Sequence, residues 1–250
     1  MKIGFSTLAL FMRTFQDMLE RAQQDGFDLM EILCEGPYWP RNLLENGINE
    51  LDIFESYDTI IFLHSPTIDL NPASLNPGIR EETKLQLIET IDLAVELGAH
   101  AITTHPGMIH RQDEQVRNFA LKYSIETLRQ CTDYAKDRGI RFSIENMPHK
   151  YSFICNNALE HKMVVNECGS GATVDMGHAN TTGKPEDFLK IKNTLYHHLS
   201  DNNGKKDEHL PLGDGNLDLK LLNKIDNGII ELNNYENVLK SRDVLRNRCS

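Results

Sequence analysis

The side chains with the most chemistry in them are imidazoles and carboxylates spaced along the later part of the chain. His64 opens His-Ser-Pro, His105 sits in Thr104-His-Pro-Gly107, and Glu145 sits in Ser143-Ile-Glu-Asn146. Asp175 is followed by His178, His198 by Asp207 and His209, and Glu231 closes the series. All nine are nitrogen or oxygen ligands of the kind that hold Zn2+ or Mn2+. Their four carboxylates, if crowded together, would repel one another and be partly protonated, and divalent cations remove that conflict. Three such ions would bring six positive charges against the four negative ones of Glu145, Asp175, Asp207 and Glu231. An anionic substrate could then approach.

Such a set needs a scaffold that gathers distant segments. The chain supplies an alternation of β-rich runs and helical spacing. Predicted strands cover Lys2–Ser6, Asp28–Leu33, Asp58–Leu63, His100–Thr104, Ile140–Glu145, Gly171–Asp175, Thr194–Leu199 and Gly228–Leu232. Helices are expected at Thr14–Asp25, less regularly up to Tyr57, then through Ala94 to Gly98. Further helices are expected at Gln112–Arg138, Asn157–Glu167, from Pro185 to Lys192, Leu217–Ile225 and Tyr235–Leu245. Strict alternation implies parallel strands joined by crossovers, and eight units in 250 residues predict a single (β/α)8 TIM barrel spanning residues 1–250. An open doubly wound sheet would carry a glycine-rich turn after its first strand, and Ser6–Arg13 has no glycine.

Barrel active sites lie at the C-terminal ends of the strands. Strands three to eight each end at or beside one of the nine residues, and none of the nine comes from the opposite face. Taken singly, His64 reads as a capping residue, Asp207 as a turn acid and Glu231 as a solvated loop acid. Six consecutive strands ending in ligand types are not explained that way. His100, His110, His149, His161 and His197 keep ordinary structural roles, His197 pointing away from His198 toward the helices.

Composition narrows the function further. Asp and Glu number 37 against 26 Lys and Arg, a formal charge of −11, which disfavours a broad grip on nucleic acid. No apolar run approaches the length of a membrane span. The start, Met-Lys-Ile-Gly, lacks the features of a secretory signal, so a cytoplasmic location is expected. Cys34, Cys131, Cys155, Cys168 and Cys249 are widely spread with no C-x-x-C pair. They read as small buried apolar residues rather than as disulfides or zinc thiolates.

The ordered motifs resemble the xylose-isomerase-like TIM barrels and, within them, endonuclease IV, the family 2 apurinic/apyrimidinic endonucleases. Beside the three segments already quoted, the resemblance rests on Val174-Asp-Met-Gly-His-Ala179 and on the run from His198 through Asp207-Glu-His209 to Gly213-Asp-Gly215. It implies a metal quartet of Glu145, Asp175, His198 and Glu231, shared by the wider superfamily. The five ligands that endonuclease IV adds match His64, His105, His178, Asp207 and His209. By the same resemblance Glu145 bridges two metals, one completed by His64 and His105, the other by Asp175, His198 and Glu231. His178, Asp207 and His209 would hold a third. The chain departs from endonuclease IV where that family carries a DNA-intruding tyrosine, here Thr67, and an arginine after strand two, here Cys34-Glu-Gly-Pro-Tyr-Trp39 with Arg41 only later. The loop from His198 to Asp207 is also shorter. DNA-reading loops are therefore not matched, and Tyr38 and Trp39 become candidates for an aromatic wall of a smaller pocket.

Two chemistries follow. The ligand count points first to phosphoester hydrolysis, of abasic-site DNA or a smaller phosphoester, at a di- or trinuclear site of up to three Zn2+, or Mn2+. The alternative is isomerisation or epimerisation of a sugar or sugar phosphate on one metal, with Glu145 and Glu231 as the catalytic acid and base. A metal-binding barrel without catalysis ranks last. The expected partner is an anionic or sugar-like substrate, with DNA possible although the DNA-reading loops are not matched. No membrane association is expected, and the sequence leaves the oligomeric state open.

Overall fold

Eight strands close into a parallel barrel in the order β1 to β8, each hydrogen-bonded to its sequence neighbours and β8 to β1. The computed structural model describes residues 1–46 and 51–248. The strands are β1 Lys2–Ser6, β2 Leu29–Leu33, β3 Ile60–His64, β4 Ala101–Thr104, β5 Phe142–Glu145, β6 Gly171–Asp175, β7 Thr194–Leu199 and β8 Asn227–Ile230. Nearly every strand residue is buried, because helices cover one face and the barrel interior the other.

Helices Phe15–Gln24, Pro77–Glu96, Glu114–Asp137, Ala158–Cys168 and Tyr235–Arg248 pack around the sheet. Their starts are written in the sequence. Thr14, Asn76, Asp113 and Asn157 each accept a first-turn amide with the side-chain oxygen. The helix Ala158–Cys168 ends on Gly169 at φ +63°, a left-handed position that favours glycine.

Other expected helices are tighter or shorter. Pro185–Lys190 and Leu219–Lys224 are 3-10 turns, and the stretch after β2 breaks into Gly36–Tyr38, Pro40–Asn46 and Asp52–Ser56. These connectors are only a few residues long, and such short runs accommodate i to i+3 bonding. Strand ends shift by one or two residues. β3 reaches His64, whereas β8 stops at Ile230 and leaves Glu231 just beyond it.

Two apolar layers hold the barrel. The larger lies between strands and helices, and a plug of Leu29, Phe62, Ala101, Tyr196 and Ile229 fills the barrel interior. Gly4 has to be glycine there: a Cβ would come within 2.4 Å of the Leu29 Cβ. Cys34, Cys131, Cys155 and Cys168 are buried free thiols, while Cys249 lies outside the described residues. Among the described residues no helix is long and apolar enough to cross a membrane.

Candidate metal centre

The nine candidate ligands converge at the C-terminal mouth of the barrel. They fall into three groups whose ligand atoms lie within 4.8 Å of one another: His64, His105 and Glu145; Glu145, Asp175, His198 and Glu231; and His178, Asp207 and His209. Strand ends deliver the first two. His64 and Glu145 are the last residues of β3 and β5, and His105 follows β4. His198 lies near the end of β7, and Glu231 is pinned past β8 by its amide bond to the Leu199 carbonyl, 3.1 Å.

Asn146 locks β5 to β6. Its amide nitrogen donates to the Asp175 carbonyl at 3.0 Å, and its side-chain oxygen accepts the Asp175 amide at 2.8 Å. Asp175 then caps the short helix Met176–Asn180, accepting the His178 amide at 2.5 Å, and so aims His178 at the site. The third group depends on a loop. Asp201 gathers it by accepting the amides of Asn202, Gly213, Gly215 and Leu217 at 2.8–3.1 Å. An antiparallel bridge between Asp201 and Leu210 brings Asp207 and His209 back over the mouth.

Within the groups the spacings suit an ion. His64 and His105 each place Nε2 3.5 Å from Glu145 Oε2. His198 Nδ1 lies 3.2 Å from Glu145 Oε1 and 3.3 Å from Glu231 Oε2. Asp207 Oδ2 lies 3.2 Å from His178 Nε2 and 2.9 Å from His209 Nε2. Ligands about 2.0–2.1 Å from a tetrahedral ion stand about 3.3 Å apart, which is the range seen. Buried oxygens Glu145 Oε2, Asp175 Oδ2 and Asp207 Oδ1 have no hydrogen-bond partner, an arrangement that is unfavourable without a cation.

The imidazoles are oriented for it. His64 Nδ1 contacts the Ser65 carbonyl at 2.8 Å, His178 Nδ1 that of Asn146 at 2.7 Å, and His209 Nδ1 that of Glu231 at 2.9 Å. Donation there leaves each Nε2 lone pair facing the cluster. His198 is reversed. Its Nε2–H donates to Glu31 Oε2 at 3.0 Å, and Nδ1 faces Glu145 and Glu231.

Glu31 is the residue that sequence reading missed. It is fully buried on β2 and also accepts the Tyr196 hydroxyl at 2.7 Å. Its signal was present: a single acid inside the apolar run Leu29-Met-Glu-Ile-Leu33, at a position facing the barrel interior. With Glu31 the cluster holds five carboxylates, so three divalent ions would exceed them by one charge.

Charge coupling is strong. Burial opposes every charge here, yet His198 and His64 hold Glu145 well below the usual carboxylate range. Burial, joined by Glu145, Glu231 and Asp207, pushes Asp175 up to about 7. Against burial, Glu145 and Glu31 raise His64 to about 9, and Asp207 and Glu231 raise His209 to about 10. Burial drives His105 down to about 3. Without metal, the acids therefore hold protons on neighbouring imidazoles, and cations are the natural replacement for those protons.

The remaining histidines and aromatics have other places. His161 Nε2 bonds the Ile144 carbonyl at 2.8 Å behind the barrel, His197 is buried, and His149 bonds the Asn156 carbonyl at 3.1 Å. Tyr38 and Trp39 do not wall the site. Tyr38 packs on Phe15 and donates its hydroxyl to the Arg13 carbonyl, and Trp39 donates to Gln86 at 2.7 Å.

A barrel of this topology with an acid- and imidazole-lined mouth defines a class, and comparison with known proteins supplies the family. The model of the xylose isomerase-like TIM barrels matches residues 19–246, and the chain belongs to that family. An uncharacterized protein of Methanocaldococcus jannaschii is 31% identical over 98% of this chain and 88% of its own length. A probable endonuclease 4 of Mycobacterium leprae is 23% identical over 82% of this chain and 83% of its own.

Among solved structures, a D-tagatose 3-epimerase-like protein is 31% identical, with a TM-score of 0.87 over 99% of this chain and 96% of that one. A D-psicose 3-epimerase in the presence of D-fructose (TM-score 0.79, 18% identity, 98% and 97% covered) shares the fold. So does the IOLI protein with a binding zinc atom (TM-score 0.82, 19% identity, 99% and 97% covered). The family match and these neighbours indicate an enzyme of the xylose isomerase-like superfamily.

Proposed function

We propose that this chain is a metal-dependent phosphoester hydrolase whose nine mouth residues, His64, His105, Glu145, Asp175, His178, His198, Asp207, His209 and Glu231, hold up to three Zn2+ ions. One observation carries the reading: all nine fall into three ligand-sized groups, and Glu145 belongs to two of them. Bound divalent cations supply charge for phosphoryl oxygens and lower the pKa of water. The residues set where that happens. Glu145 turns Oε1 toward His198 and Oε2 toward His64 and His105, so one carboxylate can serve two ions. Asp207 stands between His178 and His209 and extends the site toward solvent. Glu31 keeps His198 in the tautomer that presents Nδ1.

The test is metal content together with a substrate panel. The reading expects about three zinc equivalents per chain and cleavage of an abasic-site duplex or of small phosphoesters. One equivalent, with turnover of ketoses or their phosphates alone, would reject it.

A second reading, sugar epimerisation, is favoured by the 31% identity to the D-tagatose 3-epimerase-like protein. Glu145 and Glu231 both lie beside His198 Nδ1, at 3.2 and 3.3 Å, and would act as acid and base on a substrate chelated by one metal on the quartet. In that reading the group of His178, Asp207 and His209 has no required metal.

A further inference from the structure

A cavity of about 220 Å³ opens beside His105 and is walled by Pro66, Thr67, Leu70, Met108, Met147 and Phe153, among others. His105 belongs to both places: it lines this cavity, and its Nε2 stands 3.5 Å from Glu145. We propose that the cavity is the second half of the substrate site and takes a compact apolar arm, aryl or short branched alkyl, of a phosphoester whose phosphoryl group lies at His64, His105 and Glu145. The proposal rests on the hydrolase reading and narrows its substrate class.

Three features support it. The walls are mostly apolar. Among the described lining residues none is Asp, Glu, Lys or Arg. Two of the threonine hydroxyls are already committed, Thr67 to Glu35 at 3.2 Å and Thr83 to the Ile79 carbonyl at 2.6 Å. The walls are also held in place. Glu35 accepts the Thr67 and Ile68 amides at 2.5 and 3.0 Å, which fixes the segment after β3. Asn71 grips Met108 at both its amide and its carbonyl, 3.0 and 2.8 Å, and Met108 bridges to Phe153. Gly107 permits this grip: at φ +100° a Cβ would come within 2.5 Å of Asn71 Oδ1.

The size is the third feature. An apolar cavity of about 150 Å³ holds benzene, whereas sites for entire drug-sized ligands run from about 300 Å³ upward. The present cavity therefore suits one ring or a branched chain, with the polar part of the molecule left at the carboxylates and imidazoles. A preformed apolar wall is filled without reorganisation, so the arm contributes its burial directly to affinity.

The experiment uses zinc-loaded protein labelled with 13C at the methionine methyls, titrated with phenylphosphonate, methylphosphonate and toluene. Phenylphosphonate is expected to bind at least roughly tenfold tighter than methylphosphonate, about 1.4 kcal/mol, and to shift the Met108 and Met147 methyls. Thr67→Phe, which adds bulk at the cavity wall, should erase that preference. Equal affinity of the two phosphonates, or bound phenylphosphonate with unmoved Met108 and Met147, overturns the apolar arm and leaves the hydrolase standing. Should neither phosphonate bind while toluene shifts the two methyls, the cavity stands as an apolar subsite and the hydrolase reading fails. If toluene too leaves them unmoved, both are overturned.

Discussion

The quartet of Glu145, Asp175, His198 and Glu231 and the trio of His178, Asp207 and His209 are built differently. All four quartet residues are buried and sit at or beside strand ends, tied by Asn146 and by the Glu231 amide. In the trio only His178 is buried; Asp207 and His209 ride a loop held by Asp201, and His209 takes a left-handed backbone, φ 47°, rarely adopted by residues with a side chain. The barrel itself specifies the quartet, whereas the trio depends on a loop clamp centred on Asp201. A strained residue kept in position over the mouth argues that the third group has a role of its own.

The largest expected effect comes from the residue common to both strand-held groups. Glu145→Gln keeps the shape and removes the bridging charge. It should lower turnover by about a thousandfold or more and strip metal from two groups, read by elemental analysis. Retention of full zinc content would mean that Glu145 is not the bridge. The comparison is sharpened by His209→Ala, which keeps all four quartet side chains and removes only the imidazole contact to the Glu231 carbonyl. It should remove about one zinc equivalent and reduce phosphoester cleavage on the order of a hundredfold, with epimerase turnover, if present, unchanged. Asp201→Ala should produce the same metal loss from a distance. It deletes the acceptor of four amides, each charged hydrogen bond contributing about 1.5–3 kcal/mol, and circular dichroism melts would record the destabilisation. Loss of quartet metal in this variant would break the proposed independence of the two regions.

The same contrast explains what the sequence could reveal. The eight strands, their parallel order and the gathering of the candidate ligands at one rim were legible because alternation and glycine stops are local signals. The ligand types His64, His105 and Glu145 were legible because strand ends mark the mouth. Glu31 stood out only as a lone acid in an apolar strand; its role was not legible, since only closure of β2 and β7 into one barrel brings it against His198 and Tyr196. Nor was the clamp: Asp201 is an unremarkable acid until four amides of a folded loop point at it. Tyr38 and Trp39 misled for a related reason, because a short 3-10 turn rotates Tyr38 onto Phe15.

Glu31 offers a finer test within the quartet. Glu31→Gln retains volume but can present its amide nitrogen to His198 and lose the charge that fixes the tautomer. Zinc affinity of the quartet should fall about 10–100-fold, while the trio, which Glu31 does not touch, keeps its ion. Cobalt substitution would report this as an altered visible spectrum of one ion only. An unchanged affinity would relegate Glu31 to barrel packing beside Tyr196.

The gentlest probe is pH, and its sign differs between the metal-free and loaded protein. Raised above the ordinary 6.5, His64 at about 9 and His209 at about 10 contribute stability that is fully present below about 6.5 and lost as pH climbs through those values. Asp175, raised to about 7, acts in the same direction as pH passes neutrality. Chelator-treated protein should therefore melt at progressively lower temperature from pH 7 to 10. Metal needs those imidazoles neutral, so zinc affinity should rise across the same window and the loaded protein should hold or gain stability. Because His209 belongs to the trio and His64 to the strand-held set, His209→Ala should make the metal-free decline shallower from about pH 6.5 to 10, leaving the share carried by His64 below about 9. A decline that survives in full in that variant would show that the loop-held imidazole carries no such charge.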